Sequence, residues 1–310
     1  MSQSFLRVTH LSEVTERRPT FLAIGSFDGV HLGHQSVIRS LVEKAKKAGA
    51  RAAVLTFFPH PKRVVLNLKG RHYLSTLDDR VAALGALGVD LVITHPFNET
   101  VRNTKAAAFM EQLCYHLDLR ELWGGDFALG YKREGTINYL QALGKEKGYT
   151  VQLVSEMVSW QGELVSSTRV RALLNEGNVA AVASCLGRPY QLRGQIVLGD
   201  QRGRTIGFPT ANLAAWDEQV LPTHGVYATY AWVGNQRYKA ATNIGKRPTV
   251  DGLSLRIEAH LLNFAGDLYG EELCLQFVEH IRPEQKFAGL DQLVKQIQQD
   301  VNAVETILEA

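Results

Sequence analysis

The chain has 310 residues, 45% hydrophobic and 21% charged, with a formal net charge of +3 at neutral pH. That length accommodates two ordinary domains, each with its own core. No apolar run approaches the roughly 20 residues of a membrane-spanning helix, which argues against an integral membrane protein. The first residues, MSQSFLRVTHLSEVTERRPT, lack the basic start and apolar core of a secretory signal, so a cytoplasmic location is expected. Cys114, Cys185 and Cys274 are odd in number, far apart and never in a CxxC pair, and are read as reduced core residues rather than a disulfide or zinc framework. The mild basicity suits phosphorylated small molecules as well as nucleic acid, but the dense basic stripe or aromatic-basic patch of a nucleic-acid reader is missing.

In chain order, the strand candidate TFLAI is followed by apolar residues at helical spacing (Val37, Ile38, Leu41, Val42, Ala45). The strand AAVLTF, a helix over 79–87 and the strand VDLVI come next. This alternation predicts a parallel sheet with helices on both faces. Between the first strand and a helix over 36–47 lies GSFDGVHLGHQ, which puts His31 and His34 just ahead of a helix N-terminus at the carboxyl end of the sheet. Open α/β sheets bind ligands there, and free N–H groups favour an anion. Gly29 and Gly33 let the backbone approach a phosphate, and imidazoles can donate hydrogen bonds to its oxygens. A zinc pair is disfavoured because HLGH lacks the i, i+4 histidines and glutamate of zinc helices. Structural histidines and phosphate binding both remain open on the local pattern.

After about Leu186 the texture changes to short apolar runs (RGQIVLG, GVYATYAWV, YKAATNI, LRIEAHLL) separated by Gly, Asn and Pro. These predict an antiparallel β-barrel or sandwich. A last helix carries Leu290, Leu293, Val294, Ile297, Val301, Val304 and Leu308 on one face. The boundary is placed between 185 and 186, giving domains 1–185 and 186–310.

The second half has no GxxxxGK[ST] loop. Its candidate substitute is GDQRGRTIGFPTAN, in which Gly199, Gly203 and Gly207, with Arg204, could form a phosphate-binding flap. Thr210 and Asn212 alternate along an extended segment and so face one way, offering two oxygen ligands to Mg²⁺ bound to ATP. Glu258 in RIEAH is a candidate general base, or a surface partner of Arg256 and His260. Ser166, Ser167, Thr168 and Arg171 in SSTRVR read as phosphate ligands or as a helix cap with basic residues. Asp126 and Phe127 in GGDFALG read as nucleotide contacts or as a turn Asp and a core Phe. His60 in PHP is a weaker candidate.

GSFDGVHLGHQ resembles the HxGH signature of the nucleotidylyltransferase superfamily. TFFPHP, GGDFALG, VSSTRVR, LGRPY, GDQRGRTIGFPTANL, HGVYA, NIGKRPTV, DLYG and IRPEQKF follow in the order seen in bacterial bifunctional riboflavin kinase/FAD synthetases. The resemblance covers nearly the whole chain. Ala128, Leu129, Asn263 and Val165 depart from the pattern, where arginine, an aromatic, aspartate and isoleucine are common.

The resemblance implies a Rossmann-like nucleotidylyltransferase domain followed by a riboflavin kinase barrel with a terminal helix. The implied reactions are riboflavin phosphorylation to FMN, then transfer of AMP from ATP to FMN with release of pyrophosphate. It implies that His31 and His34 act on the ATP phosphates, with Gly25, Phe27, Asp28, Gly29 and Gly33 around them and Ser166, Ser167, Thr168 and Arg171 closing on them. It makes Glu258 the kinase base. Asp126, Phe127 and Arg282 are expected at the flavin, and Mg²⁺ is the expected metal. The expected partners are flavins and ATP, with no nucleic acid or membrane, on a monomer or weak homo-oligomer. An adenylyltransferase for another phosphorylated acceptor and a flavin-sensing regulator are the alternatives, and the barrel motifs argue against the first.

Overall fold

The computed structural model describes residues 5–309 apart from 126, 155–157, 200, 201, 250 and 251. The chain divides into two compact units, one of Met1–Lys69 with Ser75–Val165 and the other of Gly70–Leu74 with Ser166–Ala310.

In the first unit the main sheet has six strands, β1 (Leu6–Val8), β2 (Thr20–Gly25), β3 (Arg51–Phe58), β4 (Leu91–Pro96), β5 (Leu119–Gly124) and β6 (Thr150–Leu153), and a separate two-stranded ribbon is made of β7 (Ser159–Trp160) and β8 (Glu163–Leu164). The helices are α1 (Leu32–Lys47), α2 (Pro61–Leu66), α3 (Leu77–Gly85), α4 (Glu99–Asn103), α5 (Ala106–Leu117) and α6 (Ile137–Lys147). The six strands are parallel in the order β1-β4-β3-β2-β5-β6. The apolar runs are continuous because both faces are covered. Alternate residues divide between two cores: Leu22, Ile24 and Leu55 meet Phe109, Met110 and Leu113 of α5, while Phe21, Ala23 and Val54 meet Ile38 and Leu41 of α1 and Leu84 of α3. The chain moves from β2 outward through β3 and β4, then returns to β5 on the other flank of β2. The carboxyl ends of β2 and β5 therefore form the topological switch point, where such sheets hold ligands.

Element bounds differ from the sequence expectation for local reasons. Helix α1 starts at Leu32 rather than 36, because the His31 ring caps it by accepting from the His34 N–H. Helix α3 starts at Leu77 because Thr76 accepts from the Asp79 N–H at 3.1 Å. Strand β4 starts at Leu91 because the Asp90 carboxylate takes the Ala52 N–H, at 2.8 Å.

The second unit contains helices α7 (Ser167–Asn175) and α8 (Val179–Leu186), then β9 (Tyr190–Val197), α9 (Arg202–Thr205), β10 (Ala211–Ala215), β11 (Gly225–Val233), β12 (Gln236–Thr249), β13 (Gly252–Leu261), β14 (Glu272–Arg282) and α10 (Leu290–Glu309). The six strands close an antiparallel barrel in the order β10-β13-β12-β11-β14-β9, with β9 pairing back to β10. Closure leaves no open edge. Helix α8 packs against β9 and β14. Only the C-terminal half of α10 is core: Val304 and Leu308 pack on Ala228 and Leu262, whereas Leu290 is exposed and Leu293 and Ile297 face a cavity.

Segment Gly70–Leu74 belongs to this second unit, an arrangement that periodicity does not predict. Tyr73 is fully buried, stacks on Trp216 at 4.8 Å and bridges in parallel to Gln219. The His72 and Tyr73 N–H groups donate to the Glu218 carbonyl, and Val220 donates back to Tyr73.

Candidate active sites

The loop after β2 carries the first site. Phe27, Gly29 and Val30 have φ of 45°, 79° and 42°. A β-branched valine in the left-handed region is a strained conformation that the surroundings must hold in place. Those surroundings include Arg80 of α3, which is fully buried. It donates to the Ser26 carbonyl at 3.0 Å and faces the buried Asp28 carboxylate at 3.4 Å. Ser75 adds two bonds: its N–H donates to Asp28, and its hydroxyl accepts from the Gly29 N–H. Asp28 is thus turned into the protein beneath the loop.

The His31 Nδ1 accepts from the His34 N–H at 3.4 Å, which leaves the His31 Nε2 as the ring nitrogen not used by that cap. The two rings stack at 3.7 Å between centroids, and Phe27 meets His34 edge-on at 5.2 Å. Burial, then the charges of His31 and Arg80, hold the His34 pKa well below the usual imidazole value. The site thus has a neutral His34 at the first turn of a 16-residue helix, with first-turn N–H groups available for an anion. A Cβ at Gly33 would press on the His31 ring at 3.2 Å, and one at Gly25 would reach the Phe27 ring at 3.0 Å.

At the end of β5, Phe127 is a core residue whose ring lies where a Cβ at Gly124 would sit. Asp126 lies outside the described residues. His60 caps α2 by accepting from the Lys62 N–H. In the second unit, Ser166 caps α7 by accepting from the Arg169 N–H at 3.2 Å, with Ser167 and Thr168 in the first turn. Arg171 donates from Nε to the His72 carbonyl at 2.7 Å.

The second site is a cavity of about 430 Å³ in the barrel unit. Thr210, Asn212, Arg256, Glu258 and His260 all line it, so the alternation read from sequence puts them on one face. Asn212 lies directly opposite Glu258 on one side, and Asn243 of β12 lies directly opposite it on the other. Among the described residues the Glu258 carboxylate makes no side-chain hydrogen bond or ion pair, so it is not paired with Arg256 or His260. His260 instead bonds the Pro209 carbonyl at 2.8 Å.

A Cβ at Gly199 would collide with the Asn212 carboxamide, and one at Gly203 with the Phe208 carbonyl; Gly207 has φ of 86°. Gly203 lines the cavity and Arg204 is exposed on α9. Arg282 also lines it, with its guanidinium forked onto the buried Asp300 carboxylate at 2.8 and 2.7 Å and 5.9 Å from the Phe287 ring. Val226, Ala241, Leu293 and Ile297 give this part an apolar wall.

Sequence reasoning named neither Arg80, Ser75, Asn243 nor Glu284, whose carboxylate occupies the space that a side chain at Gly245 would need. The signal for Arg80 was an arginine next to the apolar stripe of Val81 and Leu84. For Asn243 it was strand alternation counted back from Gly245.

A family model described as FAD synthetase matches residues 13–169, and one described as riboflavin kinase matches residues 186–308. The class is therefore a chain that joins a flavin-adenylylating module to a flavin-phosphorylating one. The bifunctional riboflavin kinase/FMN adenylyltransferase of Haemophilus influenzae is 37% identical, over 93% of this chain and 94% of its own length. That of Escherichia coli K12 is 38% identical, over 90% of each. A crystal structure described as a macrolide-efflux protein from Streptococcus pneumoniae shares the fold with a TM-score of 0.86 at 28% identity, covering 97% of this chain and 98% of that one. The chain belongs to the bifunctional riboflavin kinase/FMN adenylyltransferase family.

Proposed function

We infer that this chain makes both flavin nucleotides: its barrel unit phosphorylates riboflavin with ATP to give FMN, and its α/β unit transfers AMP from a second ATP to FMN, giving FAD and pyrophosphate. The observation that carries the reading is the unpaired carboxylate of Glu258 between two carboxamides in a cavity that also has an apolar wall. An amphipathic flavin with a polar ribityl chain needs such a cavity.

In the kinase step Glu258 accepts the proton of the riboflavin 5′-hydroxyl as that oxygen bonds to the γ-phosphorus and the bond to ADP breaks. The Gly203 loop offers backbone N–H groups to the phosphates. Thr210 and Asn212 supply hard oxygen ligands on one face, a donor set that suits Mg²⁺ sharing the phosphate oxygens of ATP. No cluster of three His, Cys, Asp or Glu occurs among the described residues, which fits a metal that arrives with the nucleotide. Mg²⁺, when bound, neutralises charge on the phosphates.

In the adenylyl step the FMN phosphate is already an anion and needs no base. It bonds to the α-phosphorus as pyrophosphate leaves. His31 and His34, with the first-turn N–H groups of α1, stabilise the charge on the phosphates. The phosphate roles of Ser166, Ser167, Thr168 and Arg171, and the flavin roles of Phe127 and Asp126, rest on the family resemblance alone. Arg282, held by Asp300, shapes the flavin end of the kinase cavity.

We assign the kinase module to 186–310 and the adenylyltransferase to 1–185, supported by the start of the kinase match at 186. A cytoplasmic monomer or weak homo-oligomer fits an enzyme that draws on ATP and keeps its three cysteines free. The test is incubation with riboflavin and Mg-ATP, following flavins by chromatography. FMN should appear first and FAD after it, and formation of neither product would overturn the reading.

A further inference from the structure

His260 of β13 lines the kinase cavity, yet neither the base nor the metal role uses it. Its backbone is held in the barrel by pairing with Ala241 of β12. Carbonyl oxygens only accept, so the 2.8 Å bond to the Pro209 carbonyl is donated by the His260 Nδ1–H. The same ring meets Phe208 edge-on at 5.4 Å. One side chain thus grips the two residues that immediately precede Thr210. The pairing of β10 with β13 starts at Ala211, opposite Ala259, and continues with Asn212 opposite Glu258. One step outward would set Thr210 opposite His260, but Thr210 lies ahead of the strand. Sheet register therefore places Asn212, whereas Thr210 is placed by how the preceding turn is held. Backbone bonds inside that turn are local, running from the Ile206 and Phe208 N–H groups to the Gly203 carbonyl. Among the described residues, the His260 ring makes the one side-chain hydrogen bond to 206–210. A Cβ at Gly203 would stand 3.6 Å from the Thr210 hydroxyl, so the glycine loop and Thr210 are packed together and shift together.

We propose that His260 is a positioning residue for phosphoryl transfer: its Nδ1–H holds the Pro209 carbonyl so that the Thr210 hydroxyl and the Asn212 carboxamide stand together beside Glu258. The proposal rests on the kinase reading and deepens it. Two oxygen donors with different supports hold a shared cation and its phosphates well only when both keep their places. Loss of the bond releases the turn, so Thr210 and the Gly203 loop move relative to Asn212. Glu258 stays where the ladder puts it. The response to Mg²⁺ is therefore the property that His260 controls, and the handling of riboflavin is not.

The test compares His260→Phe and His260→Asn with wild type, all as full chains. His260→Phe keeps a ring against Phe208 and removes the donor; His260→Leu serves if the larger ring prevents folding. His260→Asn removes the ring and keeps a donor, because the asparagine Nδ2 and the histidine Nδ1 are both bonded to Cγ. Amide hydrogen exchange at 203–210 should quicken about 3- to 10-fold in His260→Phe, the worth of one neutral hydrogen bond, and Mg-ADP should slow it less than in wild type. At fixed ATP, the Mg²⁺ concentration for half-maximal FMN formation should rise about tenfold, with the riboflavin KM and FAD synthesis from added FMN unchanged. His260→Asn should bring both readouts back to within about threefold of wild type. A merely structural His260 would lower the melting temperature and leave the Mg²⁺ response alone. Wild-type exchange and Mg²⁺ response in His260→Phe, or a His260→Asn chain no better than His260→Phe, would overturn the assignment. A wild-type chain that made no FMN would sink the kinase reading, and exchange at 203–210 would still decide whether His260 holds the turn.

Discussion

Arg80 and Asp28 form a fully buried ion pair, 3.4 Å apart, beneath the loop that carries His31 and His34. The same guanidinium bonds the Ser26 carbonyl, so one side chain from α3 fixes both the charge and the backbone of a strained loop. Removing one partner of a buried pair leaves an uncompensated charge, at a cost of about 3–5 kcal/mol. Arg80→Met should lower the melting temperature and abolish FAD formation. Arg80→Met combined with Asp28→Asn should recover part of the stability without recovering FAD formation, because the Ser26 bond is still lost. A double variant with normal FAD synthesis would show that the loop does not need this support.

His34→Ala should reduce FAD formation from added FMN by on the order of 10²- to 10³-fold, as the loss of a donor to a charged transition state does, and leave riboflavin phosphorylation nearly intact. Initial rates of the two reactions, measured separately, decide it. Equal losses in a folded variant would count against separate sites.

His34 also predicts a pH dependence of stability. Its folded pKa lies well below the unfolded value of about 6.5, so the folded chain refuses a proton that the unfolded chain takes. Stability is complete above about pH 6.5 and falls as pH drops below it towards the folded pKa, by up to about 1.4 kcal/mol per unit for one histidine. His95 and His280, also lowered by burial, add to the slope. Urea unfolding at pH 7.5 and 5.5 should show a smaller acid loss in His34→Gln than in wild type. An identical loss would mean that His34 is protonated in the native state.

Glu258→Gln should cut the kcat of FMN formation by about 10²- to 10⁴-fold with little change in riboflavin affinity, since the amide keeps the shape but cannot take the proton. FAD synthesis from added FMN is the internal control. Wild-type phosphorylation by this variant would send the search for the base to Glu284, which also lines that cavity, since the Asp300 carboxylate there is engaged by Arg282.

Tyr73 fills the kinase-side unit from a segment outside residues 166–310, so fragments should reveal it. A fragment of 166–310 should phosphorylate riboflavin but make no FAD, and should melt below the same unit in the full chain. One of 186–310 should melt lower still, because it also loses α8 from β9 and β14. Tyr73→Ala in the full chain should destabilise the barrel unit by about 3–5 kcal/mol, as large core truncations do. Calorimetry that resolves two transitions would read this directly, and an unmoved barrel transition would refute it.

Periodicity in the sequence determined the βαβ order, the parallel sheet and the change to a barrel texture, because strand and helix repeats are local properties that burial on one or two faces imposes. Alternation likewise put Thr210 with Asn212 and Arg256 with Glu258 and His260, since neighbouring same-face residues in a strand are two apart. The HxGH spacing marked the phosphate loop, although the helix began four residues earlier than expected because a histidine ring can cap it. Tertiary structure alone decided what lies opposite. Sheet register set Asn243 beside Glu258, packing drove Arg80 under Asp28, and a five-residue segment carried Tyr73 into the other unit. These pairings join residues 15, 52 and more than 140 positions apart, and no local pattern encodes a contact that depends on how distant segments are brought together.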